Sequence, residues 1–365
     1  MVSTFADSKN KQKVAVGLSG GVDSSVAALL LKEQGYEVVG VYMQCWDVKE
    51  EGCAADEDKA YAVQTAAKLS IKFEALDFRE DYKKRVIDYF YDEYAKGRTP
   101  NPDVMCNKEI KFGIFFEWAM EKGFNYIATG HYARVQAISK SNPVFQLLKG
   151  VDEGKDQSYF LYRLGQEQLG KSLFPVGGYK KSEIRKLAGD AALPTYKRPE
   201  SMGICFIGEV DIKKFLEQRI DHKPGNVLNT KGEVIGEHDG VWFLTIGQRH
   251  GFRVRNYYGV PLYVIGKNAE KNELIVGTYE EALCTEFEVE DVSWILQNPF
   301  DTADATEVGC EVRIRHLGKM YKATLCKTSA TTLTVKLSQP IFGVASGQSA
   351  VFYSEDVVLG GGVIQ

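Results

Sequence analysis

The sequence lacks any continuous apolar run long enough to cross a bilayer, so it predicts no membrane-spanning helix. It also lacks a Cys-x-x-Cys pair, and its cysteines at positions 45, 53, 106, 205, 284, 310 and 326 do not suggest a disulfide scaffold. Its first thirteen residues are polar and of mixed charge, which is not typical of a secretion signal. These absences favour a cytoplasmic protein with reduced thiols and no membrane partner.

Internal repeats and low-complexity tracts are also absent. The 365 residues, 44% hydrophobic and 26% charged, are typical of a globular chain of two or three domains. A net charge of −4 does not favour indiscriminate nucleic-acid binding. It does not exclude a nucleic-acid partner, because local patches matter more than the sum. One basic patch lies between Glu311 and Lys336, where six basic residues accompany a single acidic one.

A glycine-rich stretch near the start organises the chain. Residues 14–17 form a short apolar run that predicts a buried strand, and good helix formers follow residue 22 until Gly35 ends them. A strand, a glycine-rich turn and a helix N-terminus together bind anions well. The Gly-Lys-Ser/Thr ending of a Walker A loop is absent. Ser19–Ser24 instead resembles the pyrophosphate loop of N-type ATP pyrophosphatases, although a ligand-free turn is the simpler alternative.

Alternating strands and helices predict the fold of the first half. Strands are predicted at 36–43, 71–76 and 124–129, with helices at 56–69 and 82–96, which indicates a doubly wound parallel sheet. Ligands of such sheets bind at the carboxyl ends of the strands. We therefore expect the glycine-rich turn, Met43 and the Gly130-His131 pair to share one pocket.

The second half changes in composition. Residues 211–277 are glycine-rich with short strands, and residues 248–258 interleave cations with aromatics, a weak signal for binding phosphates and bases. From residue 281 the chain becomes all-β, and strands at 311–315, 320–327, 331–337 and 349–353 suggest a small antiparallel barrel. Its basic patch is a candidate platform for a phosphate backbone. Upstream, the charge run at 180–186 is interpreted as a solvated helix face.

Cys106 lies in a segment, 97–108, whose two prolines and two asparagines predict a rigid loop. Helical spacing starts at residue 110, so Cys106 is expected just before a helix N-terminus, close to Lys108 and Lys111. Such a setting lowers a thiol pKa and gives a usable thiolate. The alternative is a small buried hydrophobe, but the adjacent Asp103 favours a reactive thiol. Cys205, taken alone, would be interpreted as a core residue.

Segments along the whole chain resemble the bacterial tRNA-specific 2-thiouridylases of the MnmA/TrmU family. The most specific are Asn-Pro-Asp-Val-Met-Cys-Asn at 101–107 and the Cys205 segment at 203–209. The resemblance implies ATP-dependent replacement of oxygen by sulfur at C2 of the wobble uridine in tRNAs of the Lys, Glu and Gln type. It also implies an adenine nucleotide alpha hydrolase-like catalytic domain (1–208), a small β-rich central domain contacting tRNA (209–279) and an antiparallel β-barrel binding tRNA (280–365).

The same resemblance assigns residues to each role. The implied cofactors are ATP and Mg²⁺, and the ATP-binding residues are Gly17, Leu18, Ser19, Gly20, Gly21, Val22, Asp23, Ser24, Met43 and Gly130. The target base would be contacted by Asn101, Pro102 and Asp103. The tRNA would be contacted by His131, Lys155, Asp156, Gln157, Arg315, His316 and Gln348.

Two cysteines carry the sulfur chemistry that the resemblance implies. Cys205 would hold a persulfide loaded by a cysteine desulfurase or a sulfur-relay protein, and Cys106 would attack it as the nucleophile. Asp103 would act as general acid or base. A transient Cys106–Cys205 disulfide would remain, for an external thiol to reduce. Direct persulfide transfer and release of free sulfide are both compatible with the sequence.

Three other interpretations stay open at this point. An ATP pyrophosphatase that adenylates a small molecule would use the same loop. However, no glutaminase segment is visible, and such an enzyme would have little use for a basic β-rich tail. A non-enzymatic module that binds nucleotide or RNA would need neither cysteine. An iron–sulfur cluster on Cys53, Cys106 and Cys205 lacks any supporting ligand spacing. The remaining cysteines, at 45, 284, 310 and 326, are interpreted as structural.

Overall fold

A computed structural model describes residues 11–46, 55–139, 143–199, 205, 207, 211–255, 259–301, 306–329 and 331–365. Of the segment around Cys205, this includes only Cys205 and Ile207, while Cys53, Tyr257 and Tyr258 lie outside the described residues. Within the described ranges, no helix has both the length and the apolar character that crossing a membrane requires.

The first domain is a five-stranded parallel sheet with strand order β3-β2-β1-β4-β7. The strands of this domain are β1 (Lys13–Gly17), β2 (Glu37–Gln44), β3 (Lys72–Asp77), β4 (Tyr126–Ala128), β5 (Ala133–Ala137), β6 (Phe145–Lys149) and β7 (Ser172–Leu173). Strands β5 and β6 form a hairpin that does not belong to the five-stranded sheet. The helices of the domain are α1 (Val22–Glu33), α2 (Ala55–Leu69), α3 (Arg79–Tyr82), α4 (Asp88–Ala95), α5 (Pro102–Cys106), α6 (Phe115–Glu121), α7 (Gln166–Gly170) and α8 (Lys181–Asp190). Two π-helical segments, Lys83–Ile87 and Asn107–Ile114, join α3 to α4 and α5 to α6.

The central strand β1 explains why this sheet has helices on both faces. Val14, Ala15 and Val16 are all completely buried, as a parallel strand between two helical layers requires. Val14 and Val16 belong to one core, which includes α1, α2 and α8, whereas Ala15 belongs to the opposite core, with α4 to α6. The predicted doubly wound sheet is confirmed.

The central domain is a small β-rich unit. One helix, α9 (Ile212–Glu217), precedes strands β8 (Gly225–Leu228), β9 (Val234–His238), β10 (Phe252–Val254), β11 (Tyr263–Asn268) and β12 (Glu273–Gly277), which pair in the order β10-β9-β8-β12-β11. The helix attaches this unit to the first domain, because the Phe215 ring stacks on Tyr91 with centroids 5.4 Å apart. The Tyr91 hydroxyl also donates to the Phe215 carbonyl oxygen, at 2.6 Å.

The C-terminal strands close into an antiparallel barrel. They are β13 (Leu283–Trp294), β14 (Glu307–Arg313), β15 (Tyr321–Lys327), β16 (Leu333–Phe342), β17 (Ser349–Ser354) and β18 (Val357–Ile364), and β13 pairs with both β16 and β18. The predicted barrel is confirmed, but the sequence pattern indicated only β14 to β17. Strand β18 was missed because Gly360, Gly361 and Gly362 resemble a loop. A Cβ on Gly361 would lie 2.5 Å from the Ala350 carbonyl oxygen, so the close approach of β17 requires glycine there.

The barrel and the first domain share a sheet. Strand β6 of the β5–β6 hairpin pairs with the start of β18, with Val357 opposite Leu148 and Val358 opposite Leu147. Beside this junction Asp156 is buried and accepts from Arg313 Nη1, at 2.7 Å. Asp156 also accepts from the backbone N–H groups of Gly150 and Ser158, at 3.0 and 3.1 Å. The family resemblance assigns Asp156 to tRNA contact, and in this structure its carboxylate joins the barrel to the first domain.

Asp156→Ala should destabilise the protein by about 3–5 kcal/mol, because the buried Arg313 guanidinium loses its anionic partner. The matched control is Glu153→Ala, which removes an exposed carboxylate from the same turn and should leave stability nearly unchanged. Urea unfolding followed by tryptophan fluorescence measures both variants. Equal midpoints for the two variants would show that the Asp156–Arg313 pair does not hold the domains together.

Candidate active site

The loop between β1 and α1 has the geometry of an anion cradle. Gly21 caps α1 and has no side chain to cover the first amides of the helix. Gly20 adopts a left-handed conformation, with φ of +77°, and a Cβ there would overlap the backbone of Asp58. The hydroxyl oxygens of Ser19 and Ser24 lie 3.2 Å apart on the same turn. Backbone amides, hydroxyls and the helix dipole thus converge on one place.

The other predicted ATP residues lie around this loop. A Cβ on Gly130 would lie 2.6 Å from the Ser24 amide nitrogen, so the end of β4 packs directly on the start of α1. The Met43 Cε atom is 3.1 Å from the position that a Cβ on Gly17 would occupy. The structure therefore brings together the residues that the sequence assigned to one pocket at the carboxyl ends of β1, β2 and β4.

Two cations at this loop were missed by the sequence reasoning. Lys181 Nζ lies 2.7 Å from both carboxylate oxygens of Asp23, and Arg198 Nη1 donates to the Gly20 carbonyl oxygen at 2.8 Å. Arg198 also forms an ion pair with Asp58. The interpretation of the 180–186 run as a solvated face is wrong for Lys181, whose side chain is only 12% exposed. Helical spacing identified α8, but only the packing of α8 on α1 reveals which lysine faces inward.

The expected loop before Cys106 is partly a helix. Asn101 caps α5, and its side-chain oxygen accepts from the Val104 amide at 3.2 Å, while Pro102 occupies the first helical turn. The helix therefore begins at Pro102 and not near residue 110. Cys106 is the fifth residue of α5, so the prediction that it directly precedes a helix N-terminus is wrong.

Burial also reverses the expected shift of the Cys106 thiol. Cys106 is completely buried, and this burial raises its pKa, with a further increase from a hydrogen bond to the Cys205 side chain. The Lys111 ammonium acts in the opposite direction but does not prevail. The prediction of a lowered pKa is therefore wrong for the conformation seen here.

Cys205 nevertheless lies close enough to Cys106 for its side chain to affect the Cys106 pKa. The Cys205 amide donates to Asp103 Oδ1 at 2.9 Å, and the Tyr82 hydroxyl donates to the Cys205 carbonyl oxygen at 2.6 Å. Lys111 Nζ lies 3.6 Å from Cys205 Sγ. Two thiols, a carboxylate and an ammonium group thus occupy one site, which is an arrangement suited to thiol exchange.

The residues expected to contact tRNA fall into two groups. His131 is 6% exposed, and its ring lies against the rings of Phe112 and Phe174, with centroids 5.9 and 6.1 Å away. Gln157 is also engaged internally, since its Oε1 accepts from the Tyr132 amide at 3.0 Å. His131 and Gln157, like the buried Asp156, are therefore engaged in contacts within the protein.

The second group lies on or near the barrel. Arg315 is exposed and Lys155 is half-buried, while the His316 ring packs at a tilt against the Phe160 ring, with centroids 4.3 Å apart. Gln348 Nε2 donates to the carbonyl oxygens of Thr99 and Pro100, at 2.8 and 3.1 Å. Gln348 therefore connects the barrel to the segment that leads into α5.

Among the residues that the structure describes, no group of three or more histidine, cysteine or acidic side chains could hold a metal ion. Cys53, one of the three cysteines weighed for an iron–sulfur cluster, lies outside those residues.

A doubly wound sheet with a glycine-rich strand-to-helix turn, followed by two β domains, makes this chain a three-domain protein with a HUP-type first domain. Its first part matches the family model described as "tRNA methyl transferase HUP domain" over residues 12–209. Residues 213–278 match "tRNA methyl transferase PRC-barrel domain", and residues 284–364 match "Aminomethyltransferase beta-barrel domain".

Curated relatives give the family. The chain is 44% identical over 362 residues to "tRNA-specific 2-thiouridylase MnmA" of Staphylococcus carnosus, covering 98% of this chain and 96% of that protein. It is 44% identical over 360 residues to the protein of the same name in Bacillus cytotoxicus, covering 97% and 95%. The chain therefore belongs to the tRNA-specific 2-thiouridylase family, MnmA, which is a family of sulfurtransferase enzymes.

Solved structures with similar folds are more distant. The U34-tRNA thiolase NcsA from Methanococcus maripaludis, solved with its 4Fe-4S cluster, gives a TM-score of 0.36 at 19% identity, covering 57% of this chain and 64% of that one. A 4-thiouridine synthetase in complex with RNA and ATP gives 0.34 at 18% identity, covering 57% and 50%.

In the free protein, iodoacetamide at pH 7 should modify Cys106 at least about tenfold more slowly than Cys205, because burial and a raised pKa leave little accessible thiolate at Cys106. A raised pKa means that the Cys106 rate should keep increasing above the pH at which an ordinary thiol is fully ionised. Peptide mass spectrometry measures both rates. Faster modification of Cys106 than of Cys205 would contradict this.

Proposed function

We propose that this protein uses ATP to replace the C2 oxygen of the wobble uridine of tRNA with sulfur, on tRNAs of the Lys, Glu and Gln type. The observation that carries the proposal is the hydrogen bond that holds Cys205 on Asp103, three residues before Cys106, within the same domain as a glycine-rich strand-to-helix turn. The names of its relatives describe those proteins as tRNA-specific 2-thiouridylases.

In the first step the uridine O2 attacks the α-phosphorus of ATP, the bond to the β-phosphate oxygen breaks, and pyrophosphate leaves. The cradle formed by Ser19, Gly20, Gly21 and the start of α1 would bind that pyrophosphate. Lys181 would supply positive charge there once nucleotide competes for its pairing with Asp23. Asn101, Pro102 and Asp103, at the start of α5, are proposed to contact the target base.

Mg²⁺ fits the oxygen donors of this loop. The Asp23 carboxylate is partly exposed and stands at the first turn of α1, near the Ser19 and Ser24 hydroxyls, and hard cations prefer such oxygens. When bound with ATP, Mg²⁺ would neutralise charge on the departing pyrophosphate.

The second half of the reaction delivers sulfur. The Cys205 thiolate takes the outer sulfur of a persulfide on a cysteine desulfurase or relay protein, which leaves as a thiolate. The terminal sulfur on Cys205 then attacks C2 of the adenylated uridine, and AMP leaves with the former O2. The Cys106 thiolate attacks Cys205 Sγ, the bond from Sγ to the transferred sulfur breaks, and its electron pair stays on that sulfur. The products are 2-thiouridine and a Cys106–Cys205 disulfide, which two external thiols reduce.

A variant of this scheme releases sulfide before the base is attacked. Cys106 would then cleave the persulfide on Cys205 directly, and free sulfide would displace AMP. Both routes use the same two cysteines and end in the same disulfide. Asp103 is proposed as the general acid or base, and in the conformation seen here its Oδ1 atom accepts from the Cys205 amide.

Grip on the tRNA is assigned to the second and third domains, with proposed boundaries at 209–279 and 280–365. The exposed Arg315 and its basic neighbours between residues 311 and 336 support a phosphate-binding role for the barrel. The other proposed contacts are His131, Lys155, Asp156, Gln157, His316 and Gln348, and a cytoplasmic location remains a prediction.

Purified protein given ATP, Mg²⁺, unmodified tRNA and a persulfide donor should form 2-thiouridine with tRNA-dependent release of AMP and pyrophosphate. Cys106→Ser and Cys205→Ser should each reduce 2-thiouridine formation at least about 100-fold, because each removes a sulfur that the reaction needs. Nucleoside mass spectrometry measures the product.

Cys326→Ser is the matched control, since Cys326 lies on barrel strand β15 and should not affect the rate. Release of pyrophosphate without tRNA would favour a small-molecule adenylating enzyme. Full activity of both active-site variants would instead contradict the assigned sulfur chemistry.

A further inference from the structure

Lys111 lies next to two groups of the site that no assigned role connects, the Cys205 sulfur and the His131 imidazole. It lies in the π-helical segment Asn107–Ile114, directly after the helix that ends at Cys106. Its Nζ atom is 3.6 Å from Cys205 Sγ and 3.4 Å from His131 Nε2. The lysine ammonium therefore lies within reach of both the sulfur and the imidazole.

The imidazole of His131 faces this ammonium as a neutral base. Burial lowers the pKa of His131 well below its ordinary value, and the Lys111 charge lowers it further. His131 Nδ1 lies 2.7 Å from Thr129 Oγ1. Because Nε2 must accept from an ammonium donor, the single ring proton belongs on Nδ1, where Thr129 can accept it. This tautomer gives Lys111 a fixed polar partner that carries no competing charge.

The sulfurs and a carboxylate keep Lys111 charged. Burial alone would lower the pKa of the ammonium, but Cys205, Cys106 and Asp103 together raise it above its ordinary value. A buried cation is stabilised only where anions accompany it. The Cys205 sulfur, 3.6 Å from the ammonium, is the atom that sulfur loading must make nucleophilic.

We propose that Lys111 is a positioning residue for sulfur transfer, whose ammonium, fixed by His131 and 3.6 Å from Cys205 Sγ, stabilises the negative charge that develops on that sulfur during the transfer. The inference rests on the proposed function for its role in catalysis. Lys111 forms no covalent bond during the sulfur transfer. It stabilises the thiolate that accepts sulfur from the donor persulfide, and it faces the same sulfur when Cys106 attacks.

The test uses two alkylating reagents on the full-length protein, one neutral (iodoacetamide) and one anionic (iodoacetate), with mass spectrometry of the Cys205 peptide. Lys111→Met should slow iodoacetamide at pH 7 about fivefold or more, since a neighbouring cation promotes the thiolate. It should slow iodoacetate about threefold more than that, because the anionic reagent also loses its attraction to the ammonium. A merely structural role would not alter the ratio of the two rates.

Three further variants sharpen the result. Lys111→Gln removes the charge but can still donate to His131, so it tests the charge even where the methionine variant folds poorly. Lys111→Arg keeps the charge and should retain both rates within about twofold. Lys108→Met is the matched control, because Lys108 lies in the same segment, pairs with Glu109 at 3.1 Å and lines an open groove of about 510 Å³ on another face of the helix.

Unchanged rates and an unchanged reagent ratio in Lys111→Gln would overturn the proposal. Equal effects of Lys108→Met and Lys111→Met would also overturn it, since they would show a general effect of surface charge. The alkylation needs neither tRNA nor ATP, so a wild-type protein that makes no 2-thiouridine would refute the proposed function while leaving the Lys111 result standing.

Discussion

The hydrogen bond from the Cys205 amide to the Asp103 carboxylate, at 2.9 Å, joins two chain segments that are 102 positions apart. The Tyr82 hydroxyl donates to the Cys205 carbonyl oxygen, so both backbone polar groups of Cys205 have side-chain hydrogen-bond partners. Leaving a buried polar group unpaired costs about 1–3 kcal/mol, and these two bonds are partly buried. They therefore hold the Cys205 backbone against the helix that carries Cys106.

The helix that carries Cys106 is in turn supported by the barrel. Gln348 donates to the carbonyl oxygens of Thr99 and Pro100, and the Thr99 amide donates to the Ser346 carbonyl oxygen at 2.8 Å. The β5–β6 hairpin and the buried Asp156–Arg313 pair attach the same barrel to the first domain at a second place. The domain proposed to grip the tRNA and the loop proposed to meet the target base are thus parts of one hydrogen-bonded unit.

Local pattern was sufficient for some parts of this structure and insufficient for others. The buried strand β1, the glycine-rich turn and the stop of α1 at Gly35 were predictable, because each depends on residues adjacent in sequence. The start of α5 was missed because Asn-Pro is typical of a loop as well as of a helix cap. The predicted direction of the Cys106 pKa shift was wrong because the shift depends on burial, and burial is decided by residues far away in sequence. Lys181 was missed for the same reason, since its partner Asp23 lies in another helix.

The central claim is that sulfur leaves Cys205 by attack of Cys106. The most direct test is a single turnover of persulfide-loaded enzyme with excess ATP and tRNA, in the absence of reductant. Non-reducing peptide mass spectrometry then measures the state of the two cysteines. The account predicts a Cys106–Cys205 disulfide formed in equal amount to 2-thiouridine. Product formed while both thiols remain reduced, or a disulfide from Cys205 to another cysteine such as Cys45, would contradict it.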